Sequence, residues 1–377
     1  MKALHAALKS ALSQSDCHAA FGAVPLRILY VGSYKQTYPR NRIFIHGLRQ
    51  NGAIVTECNE SSGGLMKYLR LALRLFRLRG TYDVMLVGFP GQEVMFVARL
   101  FASAPIVFDV FTSHYMGYIL DRAYFKPGSF RARVYRFLDY WSCRFADMII
   151  LDTNAHIDFF VSEFKLPRTK FQRIFLGANT DLHAPRSQEK NSQECTVLFW
   201  GSFIPLQGTE YILEAARLLR DERIRFILIG DGQKRARDIQ EAQRLQLTNI
   251  QFPGKVSDDV LTDYIRNADI CLGAFSMGQK ADITIQNKIF ETLASRKPLI
   301  TMRTTAIEEL LTDGEQCLFC EKASPHDLAK KIILLRDNAI LRASLAERGY
   351  QFFMEHLTEE SIGRELLAKI KLLCKKS

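Results

Sequence analysis

Short hydrophobic runs recur along the chain, and each one ends at a glycine or a polar residue. In the first half they lie at residues 27–31 (RILYV), 83–87 (DVMLV), 105–110 (PIVFDV) and 148–151 (MIIL). Strands that are buried on both faces of a parallel sheet have this unbroken apolar character. Helical spacing fills the intervals between the runs. The pattern therefore predicts strands that alternate with helices in a doubly wound sheet.

The alternation stops at a polar stretch, residues 183–193 (HAPRSQEKNSQ), and then starts again. Further apolar runs follow at 196–200 (TVLFW), 225–229 (RFILI), 269–272 and 298–301. Helices are predicted at roughly 208–220, 233–245, 287–296, 325–337, 340–356 and 358–373. The sequence thus predicts an α/β protein with two Rossmann-like doubly wound domains that face each other across a cleft.

The polar stretch is the best candidate for a domain boundary. We predict an N-terminal extension at residues 1–26, a first domain at 27–185 and a second domain at 194–357. The terminal segment 358–377 is expected to form a helix that packs back on the first domain. Ligands of such sheets bind beyond the carboxyl ends of the strands, so the ligand is expected in the cleft.

Charge is distributed unequally between the two halves. The chain of 377 residues carries 51 Lys and Arg against 40 Asp and Glu, a formal charge of +11. Residues 1–190 contain 25 basic and 14 acidic residues, whereas residues 191–377 contain 26 of each. The first half is therefore expected to face an anionic surface. Nucleic acid is disfavoured, because no basic motif interleaved with aromatic residues is present.

One basic segment combines this charge with apolar side chains. In residues 65–80 (LMKYLRLALRLFRLRG), Lys67, Arg70, Arg74 and Arg77 follow each other at spacings of 3, 4 and 3. A helix places such residues on one face, and leucines fill much of the rest. The segment predicts an amphipathic helix on an anionic membrane surface, with a helix packed on the sheet and a solvated basic face as the alternative.

Cysteine usage and hydropathy bear on the compartment. The eight cysteines are scattered and mostly lie in apolar contexts, which is typical of reduced residues in a cytosolic protein. No uninterrupted apolar run of about 18 residues occurs, so no membrane-spanning helix is expected. We predict a cytoplasmic protein that is peripheral on the inner face of the cell membrane.

Glycine motifs and one helix start are the candidate phosphate-binding features. Neither domain has G-x-G-x-x-G after its first strand or a P-loop motif, which disfavours dinucleotide oxidoreductases and P-loop kinases. The G-x-G at residues 230–232 is either a ligand loop or an ordinary tight turn. Residues 286–300 (QNKIFETLASRKPLI) predict a helix that begins near Asn287 and whose free amides suit a diphosphate. Glu291, one turn inside, is either a ribose ligand or a solvated helix residue.

Six segments of the second half occur in the order of one known family. They lie at 198–208 (LFWGSFIPLQG), 229–234 (IGDGQK), 252–256 (FPGKV), 264–270 (YIRNADI), 287–298 (NKIFETLASRKP) and 307–314 (IEELLTDG). Together they resemble the nucleotide-sugar domain of family 4 glycosyltransferases (glycosyl transferases group 1), which have the GT-B fold. The first half is similar to one branch of this family at 31–41 (VGSYKQTYPRN), 87–92 (VGFPGQ), 108–114 (FDVFTSH), 147–153 (DMIILDT) and 176–181 (LGANTD).

The resemblance implies a reaction and its partners. It implies a retaining glycosyltransferase that moves a sugar from a UDP- or GDP-linked donor to a hydroxyl of a lipid-linked or cell-surface glycan. It further implies that no metal and no cofactor beyond the nucleotide-sugar co-substrate is required. Two alternatives stay open, namely an epimerase of similar fold that acts on nucleotide sugars and a non-catalytic protein that binds them.

The resemblance also implies roles for individual residues. Glu291 would bind the ribose of the donor, and His114 would act near the donor sugar as a positioning or charge-stabilising group. The remaining expected donor-binding residues are Gly32, Gly201, Ser202, Gln207, Gly230, Gly232, Lys255, Val256, Asn287 and Lys288. Asp109 and Asp121 are acidic alternatives for orienting the acceptor.

The chain departs from the family pattern at two places. Many members have a second glutamate eight residues before the first, and here that position is Ile283, so we expect the adjacent Asp282 to supply the carboxylate. Ser202 and Gln207 stand where an arginine and a lysine commonly hold the diphosphate. The candidates to replace those cations are Arg40, Lys280 and Lys288.

Overall fold

The computed structural model describes residues 24–185 and 194–375. Within these ranges the chain forms two sheets of six strands each, and all neighbouring strands run parallel. The predicted α/β architecture with two doubly wound sheets is confirmed. Most of the predicted N-terminal extension and of the polar linker lies outside the described residues.

The first sheet is built from residues before the linker. Its strands are β1 (Arg27–Gly32), β2 (Ile54–Asn59), β3 (Val84–Val87), β4 (Ile106–Asp109), β5 (Met148–Leu151) and β6 (Phe171–Arg173), in the order β2-β1-β3-β4-β5-β6. Its helices are α1 (Pro39–Gln50), α2 (Met66–Arg77), α3 (Val94–Phe101), α4 (Phe130–Phe145) and α5 (Asn154–Phe164). A π-helical turn (Tyr115–Asp121) and a short 3-10 turn (Arg168–Lys170) complete the domain.

Strand β1 shows why this sheet is covered on both faces. Ile28 and Tyr30 pack in one core cluster together with α1, whereas Leu29 and Val31 pack in another with helices α2 to α5. Successive side chains of a strand point to opposite faces, so a continuous apolar run supplies both clusters. The hydrophobic run therefore fixes β1 as an interior strand.

The second sheet repeats this arrangement. Its strands are β7 (Cys195–Trp200), β8 (Ile224–Ile229), β9 (Ile250–Gly254), β10 (Ile270–Leu272), β11 (Leu299–Met302) and β12 (Leu318–Cys320), in the order β12-β11-β10-β7-β8-β9. Its helices are α6 (Thr209–Leu218), α7 (Arg235–Arg244), α8 (Asp258–Asn267), α9 (Gln279–Ile283), α10 (Asn287–Ala294), α11 (Thr305–Glu308), α12 (Pro325–Asp337) and α13 (Ala339–His356), with a 3-10 turn at Pro205–Gln207.

The last helix, α14 (Glu359–Cys374), lies against α1 of the first domain. The two helices approach most closely at Gly47 and Gly363. A Cβ atom on Gly47 would lie 2.1 Å from the carbonyl oxygen of Glu359, so a larger residue would separate the helices. Within residues 24–185 and 194–375, none of the helices has both the length and the apolar character needed to cross a membrane.

A second contact between the domains surrounds the start of α5. The carboxylate of Glu309 accepts hydrogen bonds from the backbone N–H groups of Asn154 and Ala155, both at 2.8 Å. The hydroxyl of Thr153 donates to the carbonyl oxygen of Ile283 at 2.5 Å. A carboxylate at a helix N-terminus satisfies free amides, so this contact holds the domains at a defined separation.

In each sheet, strand order reverses beside the first strand of the domain. The reversal lies between β1 and β3 in the first sheet and between β7 and β10 in the second. The loops that leave these strands at their carboxyl ends diverge and leave a crevice, which is where such folds bind ligands. A ligand site is therefore expected at these two crevices.

Candidate functional site

Three cavities that share lining residues lie in and beside the space between the domains. The central cavity, of about 380 Å³, is lined by both domains and includes Trp200 and the start of α10. The outer cavity, of about 530 Å³, shares Trp200, Gly201 and Ser202 with it and lies over the second sheet. The first-domain cavity, of about 420 Å³, shares Tyr38, Phe89, Thr112, Arg122 and Lys280 with the central one. Together they occupy the cleft that the sequence pattern predicts.

Most of the expected donor-binding residues line the two cavities of the second domain. The central cavity is lined by Gly201, Ser202, Gln207, Asn287, Lys288 and Glu291. The outer cavity is lined by Gly201, Ser202, Gly230, Gly232, Lys255 and Val256. Residues that are up to 90 positions apart in the chain therefore meet at one edge of the second sheet.

Glu291 projects from α10 into the central cavity. Its Oε2 atom accepts a hydrogen bond from the indole N–H of Trp200 at 2.6 Å. Burial raises the pKa of this carboxyl, and the Trp200 bond and the nearby Lys288 amine oppose the rise. Since Oε2 is taken by Trp200, Oε1 is the acceptor left for a ligand. Sequence reasoning treated Trp200 only as the end of an apolar strand and missed this contact.

Lys288 lies where strands β7 and β10 diverge. Its Nζ atom donates to Oε1 of Gln207 at 2.7 Å and to the carbonyl oxygen of Gly273 at 3.3 Å, and it lies 3.5 Å from the ring centroid of Phe199. Burial holds the pKa of this amine well below its usual value, although Glu291 raises it in part. The amine is thus directed at the loop after β7 (residues 201–208), which we call the glycine loop, next to the uncharged Gln207.

Two glycines shape this loop. Gly201 has φ +141° and Gly230 has φ +137°, a region that side chains rarely adopt. A Cβ atom on Gly201 would lie 3.5 Å from the Lys288 amine, and one on Gly230 would lie 1.9 Å from the carbonyl oxygen of Gly201. Gly230 is therefore needed for the loops after β7 and β8 to touch. The loop after β8 also lines the outer cavity.

Lys280 reaches from α9 toward the first domain. It lines both the central and the first-domain cavities, and its Nζ atom lies 3.5 Å from the position of a Cβ atom on Gly117. Burial lowers the pKa of this amine, Asp121 opposes the change and Arg122 reinforces it. Lys280 therefore lies at the boundary between two cavities, where its predicted role as a phosphate ligand stays a prediction.

Arg40 is not available to a phosphate, which corrects the prediction. Its side chain is completely buried, with Nη2 at 2.7 Å and Nε at 2.9 Å from the carboxylate of Asp109. The guanidinium also lies 4.6 Å from the ring centroid of Phe44 and 4.9 Å from that of Phe111. A buried, paired charge of this kind supports the loop after β4, and Asp109 is likewise unavailable to an acceptor.

Asp282 does not replace the missing glutamate, contrary to the prediction. Its carboxylate pairs with Lys322 and accepts hydrogen bonds from the N–H and hydroxyl of Thr305, and it lines none of the three cavities. Ile283 is buried against the first domain. Neighbouring side chains on a helix point about 100° apart, so a shift of one residue turns the carboxylate away from the cleft.

Gly32 also differs from the prediction. It lines none of the three cavities, and a Cβ atom there would lie 2.3 Å from Cδ1 of Tyr34. The glycine thus makes room for the tyrosine ring rather than for a phosphate. Ser33, Tyr34 and Lys35, which follow it, line the first-domain cavity.

His114 lies in the first-domain cavity rather than beside the donor loops. Its Nε2 atom is 3.4 Å from Glu93, and its backbone N–H donates to the buried Asp139 at 3.0 Å. Burial lowers the pKa of the imidazole, but the Glu93 hydrogen bond and the charges of Asp139 and Glu93 outweigh it, so the net pKa is raised from 6.5. The first-domain cavity thus favours the charged form of His114 more than water does.

Replacing Glu93 by glutamine is expected to lower the pKa of His114. The amide cannot stabilise the imidazolium by charge, so only the charge of Asp139 still opposes the effect of burial. The measurement is an NMR titration of the histidine side chains, with Glu163→Gln as a control because Glu163 pairs with Arg136 on α4 and not with His114. An unchanged His114 titration in Glu93→Gln contradicts the pairing.

An aromatic group that sequence reasoning missed separates the cavities. The rings of Tyr38, Phe89 and Phe111 have centroids 5.6, 6.3 and 5.2 Å apart in pairs. All three line the central cavity, and Tyr38 and Phe89 also line the first-domain cavity. Phe89 and Phe111 follow β3 and β4 directly after Gly88 and Val110, so aromatic residues just beyond strand ends were the available signal.

Comparison with known proteins places the second domain in a family. Residues 194–338 match the family model described as glycosyl transferases group 1. An uncharacterized glycosyltransferase of Methanocaldococcus jannaschii is 28% identical over 165 residues, which are 44% of this chain and 45% of the relative. The putative colanic acid biosynthesis glycosyl transferase WcaI of Escherichia coli is 32% identical over 126 residues, which are 33% of this chain and 30% of the relative. The matched regions therefore span less than half the length of these relatives.

The fold of the whole described chain also has known counterparts. The crystal structure of HepE from Anabaena, in complex with UDP and glucose, superposes with a TM-score of 0.68, covers 92% of this chain and 99% of that one, and is 17% identical. At this identity the likeness concerns the fold. Residues 194–338 of the second domain therefore match the glycosyl transferases group 1 family, and the two domains together have the GT-B fold.

Proposed function

We propose that the protein transfers a sugar from a nucleoside diphosphate to a hydroxyl of a lipid-linked or cell-surface glycan. The observation that carries the proposal is the meeting of Glu291, Lys288 and the glycine loop in one cavity of a group 1 domain. That cavity offers a buried carboxylate acceptor for a ribose and a buried amine beside free helix amides for a diphosphate. The Anabaena protein of the same fold, in complex with UDP and glucose, supports a nucleotide ligand.

In the proposed reaction, the bond between the anomeric carbon and the distal phosphate oxygen breaks, and its electron pair remains on the diphosphate. The acceptor oxygen bonds to that carbon and passes its proton to a phosphate oxygen of the departing diphosphate. Cations and amides aimed at the diphosphate stabilise the charge that develops there, and this is where the chain's own residues contribute. By resemblance to family 4 enzymes, the proposal includes retention of configuration and no required metal or cofactor.

The acceptor is proposed to enter through the first-domain cavity. Its walls are mostly apolar and include Tyr34, Tyr38, Phe89 and Tyr118, with His114 among the polar groups. Aromatic faces of this kind suit the apolar face of a sugar ring. Because the cavity shares residues with the central one, an acceptor hydroxyl there lies next to the donor sugar.

The test is a turnover assay with a panel of UDP- and GDP-linked sugars and a mixture of lipid-linked glycan acceptors. We expect one donor to give a glycosylated lipid by mass spectrometry, with retained configuration by NMR and undiminished rate in EDTA. Calorimetric binding without transfer would instead favour the non-catalytic alternative. Conversion of the donor sugar without acceptor would favour the epimerase, and no binding to any donor contradicts the donor site itself.

A membrane surface is proposed on the first domain, at α2. Leu71 and Leu75 are buried and attach this helix to the sheet, whereas Leu69, Leu73 and Phe76 are 54%, 52% and 60% exposed. Exposed apolar and basic side chains thus share its outer surface, as in helices that lie in a lipid interface. Lys67 is partly buried, with its amine 3.5 Å from the Ser33 hydroxyl, whereas the three arginines are exposed. Arg70 donates to the Ser62 hydroxyl at 3.3 Å, and Arg74 donates to the carbonyl oxygen of Asn59 at 3.0 Å.

Neighbouring helices extend this surface. Helices α3 and α4 pack beside α2 in the same layer, with the rings of Phe96 and Phe137 stacked at 6.1 Å. Their exposed apolar residues are Leu100, Phe130, Val134, Phe137 and Trp141. Aromatic and basic residues together favour the boundary between headgroups and acyl chains. The first-domain cavity belongs to the same domain, so a lipid-linked acceptor would approach it from this side.

Reversing Arg70, Arg74 and Arg77 to glutamate is expected to release the protein from anionic vesicles. Each basic residue near such a surface contributes about 1 kcal/mol, so loss of three lowers the partition coefficient by at least ~100-fold. The measurement is flotation with phosphatidylglycerol vesicles. The matched control reverses Arg220, Arg237 and Arg244 of the second domain, which are exposed as well. Equal flotation of both variants contradicts the proposed surface.

A further inference from the structure

Arg122 holds a position that no sequence motif marks. It follows the π-helical turn and lines both the central and the first-domain cavities. Its guanidinium lies 5.7 Å from the ring centroid of Tyr118 and 5.9 Å from that of Tyr124. Its Nε atom is buried and has no hydrogen-bond partner among the described residues. A buried N–H donor without an acceptor is costly, so this Nε atom is available to an oxygen acceptor of a ligand that enters these cavities.

The second domain does not supply the charge that a diphosphate needs from its glycine loop. Ser202 and Gln207 are neutral, and the amide oxygen of Gln207 is occupied by Lys288. Lys288 itself lies deep, with two oxygen acceptors already in place. At the end of the central cavity that faces the first domain, the cations available to a phosphate are therefore Arg122 and Lys280.

Two cations and two carboxylates meet at this end of the cleft. Arg122 and Lys280 both line the boundary between the cavities. Asp121 is close to both cations but lines neither cavity, and Asp152 lines the central cavity but is engaged with Nδ1 of His156 at 2.8 Å. A guanidinium presents a planar fork of donors that matches two phosphate oxygens, and it stays charged at any working pH.

From these contacts we infer that Arg122 of the first domain binds the sugar-bearing phosphate of the donor, in place of the basic residues missing from the glycine loop. The inference rests on the proposed function. It has a consequence for domain closure: the carbonyl oxygen of Arg122 accepts a hydrogen bond from Gln233 of the second domain at 3.4 Å. The diphosphate is then held from both domains, so donor binding stabilises the closed cleft.

The test compares a nucleoside diphosphate with its monophosphate, using the base that the wild-type protein prefers. In the wild type the diphosphate should bind more tightly. Arg122→Gln should lower its affinity by about 30-fold and leave that of the monophosphate nearly unchanged, because only the second phosphate meets the guanidinium. Arg122→Lys should fall between, and kcat should drop in both because the leaving phosphate gains charge in the transition state.

Arg133→Gln is the matched control, since Arg133 is an exposed residue of α4 and carries the same charge. Thermal unfolding of each variant checks the fold, and Arg122→Lys provides the comparison if Arg122→Gln is unstable. An unchanged preference for the diphosphate in a folded Arg122 variant overturns the inference. Failure of the wild type to bind any nucleoside diphosphate overturns the proposed function instead, so the two failures are distinguishable.

Discussion

Replacing Glu291 by alanine is expected to lower the affinity for the preferred nucleoside diphosphate by about 100-fold. The carboxylate is proposed to accept hydrogen bonds from both ribose hydroxyls, and two charge-assisted bonds contribute about 1.5 kcal/mol each. The variant also leaves the indole N–H of Trp200 without its acceptor, which lies 2.6 Å away in the native chain. Isothermal calorimetry measures the loss.

A ligand change separates the ribose contact from a general weakening of the site. The wild type should bind the matching 2′,3′-dideoxynucleoside diphosphate much more weakly than the natural one, whereas Glu291→Ala should bind both equally, because the interacting pair is broken in either case. Glu308→Ala serves as the control, since Glu308 is an exposed helix residue paired with Arg303. Retained discrimination by Glu291→Ala removes the ribose assignment.

Replacing Lys288 by methionine is expected to have the second large effect, on affinity and on proton uptake together. The diphosphate's charge favours the ammonium form, so its binding should raise the lowered pKa of Lys288 and draw a proton from solution. Calorimetry in two buffers of different ionisation enthalpy measures that uptake. Lys288→Met should abolish it and lower the affinity by at least ~10-fold, because the third N–H donor of the ammonium, not used by Gln207 or Gly273, no longer makes a charge-assisted bond to phosphate.

The same pKa shift predicts how stability depends on pH. Burial lowers the pKa of Lys288 in the folded chain below that of the unfolded chain, about 10.4. Between those two values the unfolded chain binds more protons, so wild-type stability rises with pH there. Lys288→Met should therefore be the more stable protein below the folded pKa, with an advantage that shrinks toward pH ~10.4. Lys330→Met, on the exposed side of α12, should show neither effect.

The interior of the fold was predictable because burial leaves a direct trace in the sequence. The eight interior strands identified from apolar runs all occur, and helix α10 begins at Asn287 as its sequence indicates. Strands β2, β6 and β9 escaped notice. Strands β2, β6 and β9 are all edge strands, and β2 and β9 have exposed or partly exposed residues at alternate positions or more, so they lack a continuous apolar run. Strand β6 has only three residues.

Part of the site was predictable for a related reason. Gly201, Asn287 and Glu291 lie at strand ends and at a helix start, and parallel topology brings such positions to the same edge of the sheet. The resemblance to a known family assigned them roles. The direction of a side chain is not given by such positions, and Asp282 illustrates this because it turns to Lys322 and away from the cleft.

By itself, the sequence determined the two doubly wound sheets, the cleft and the excess of positive charge in the first half, because periodicity and composition report what each segment buries locally. Only the tertiary structure decided which charged side chains are available to a ligand. Arg40 forms an ion pair with Asp109, which is 69 residues away in the chain. Arg122, in contrast, reaches the cleft from the first domain with an Nε atom that has no hydrogen-bond partner among the described residues. Pairing of this kind depends on contacts between distant segments, which local patterns do not record.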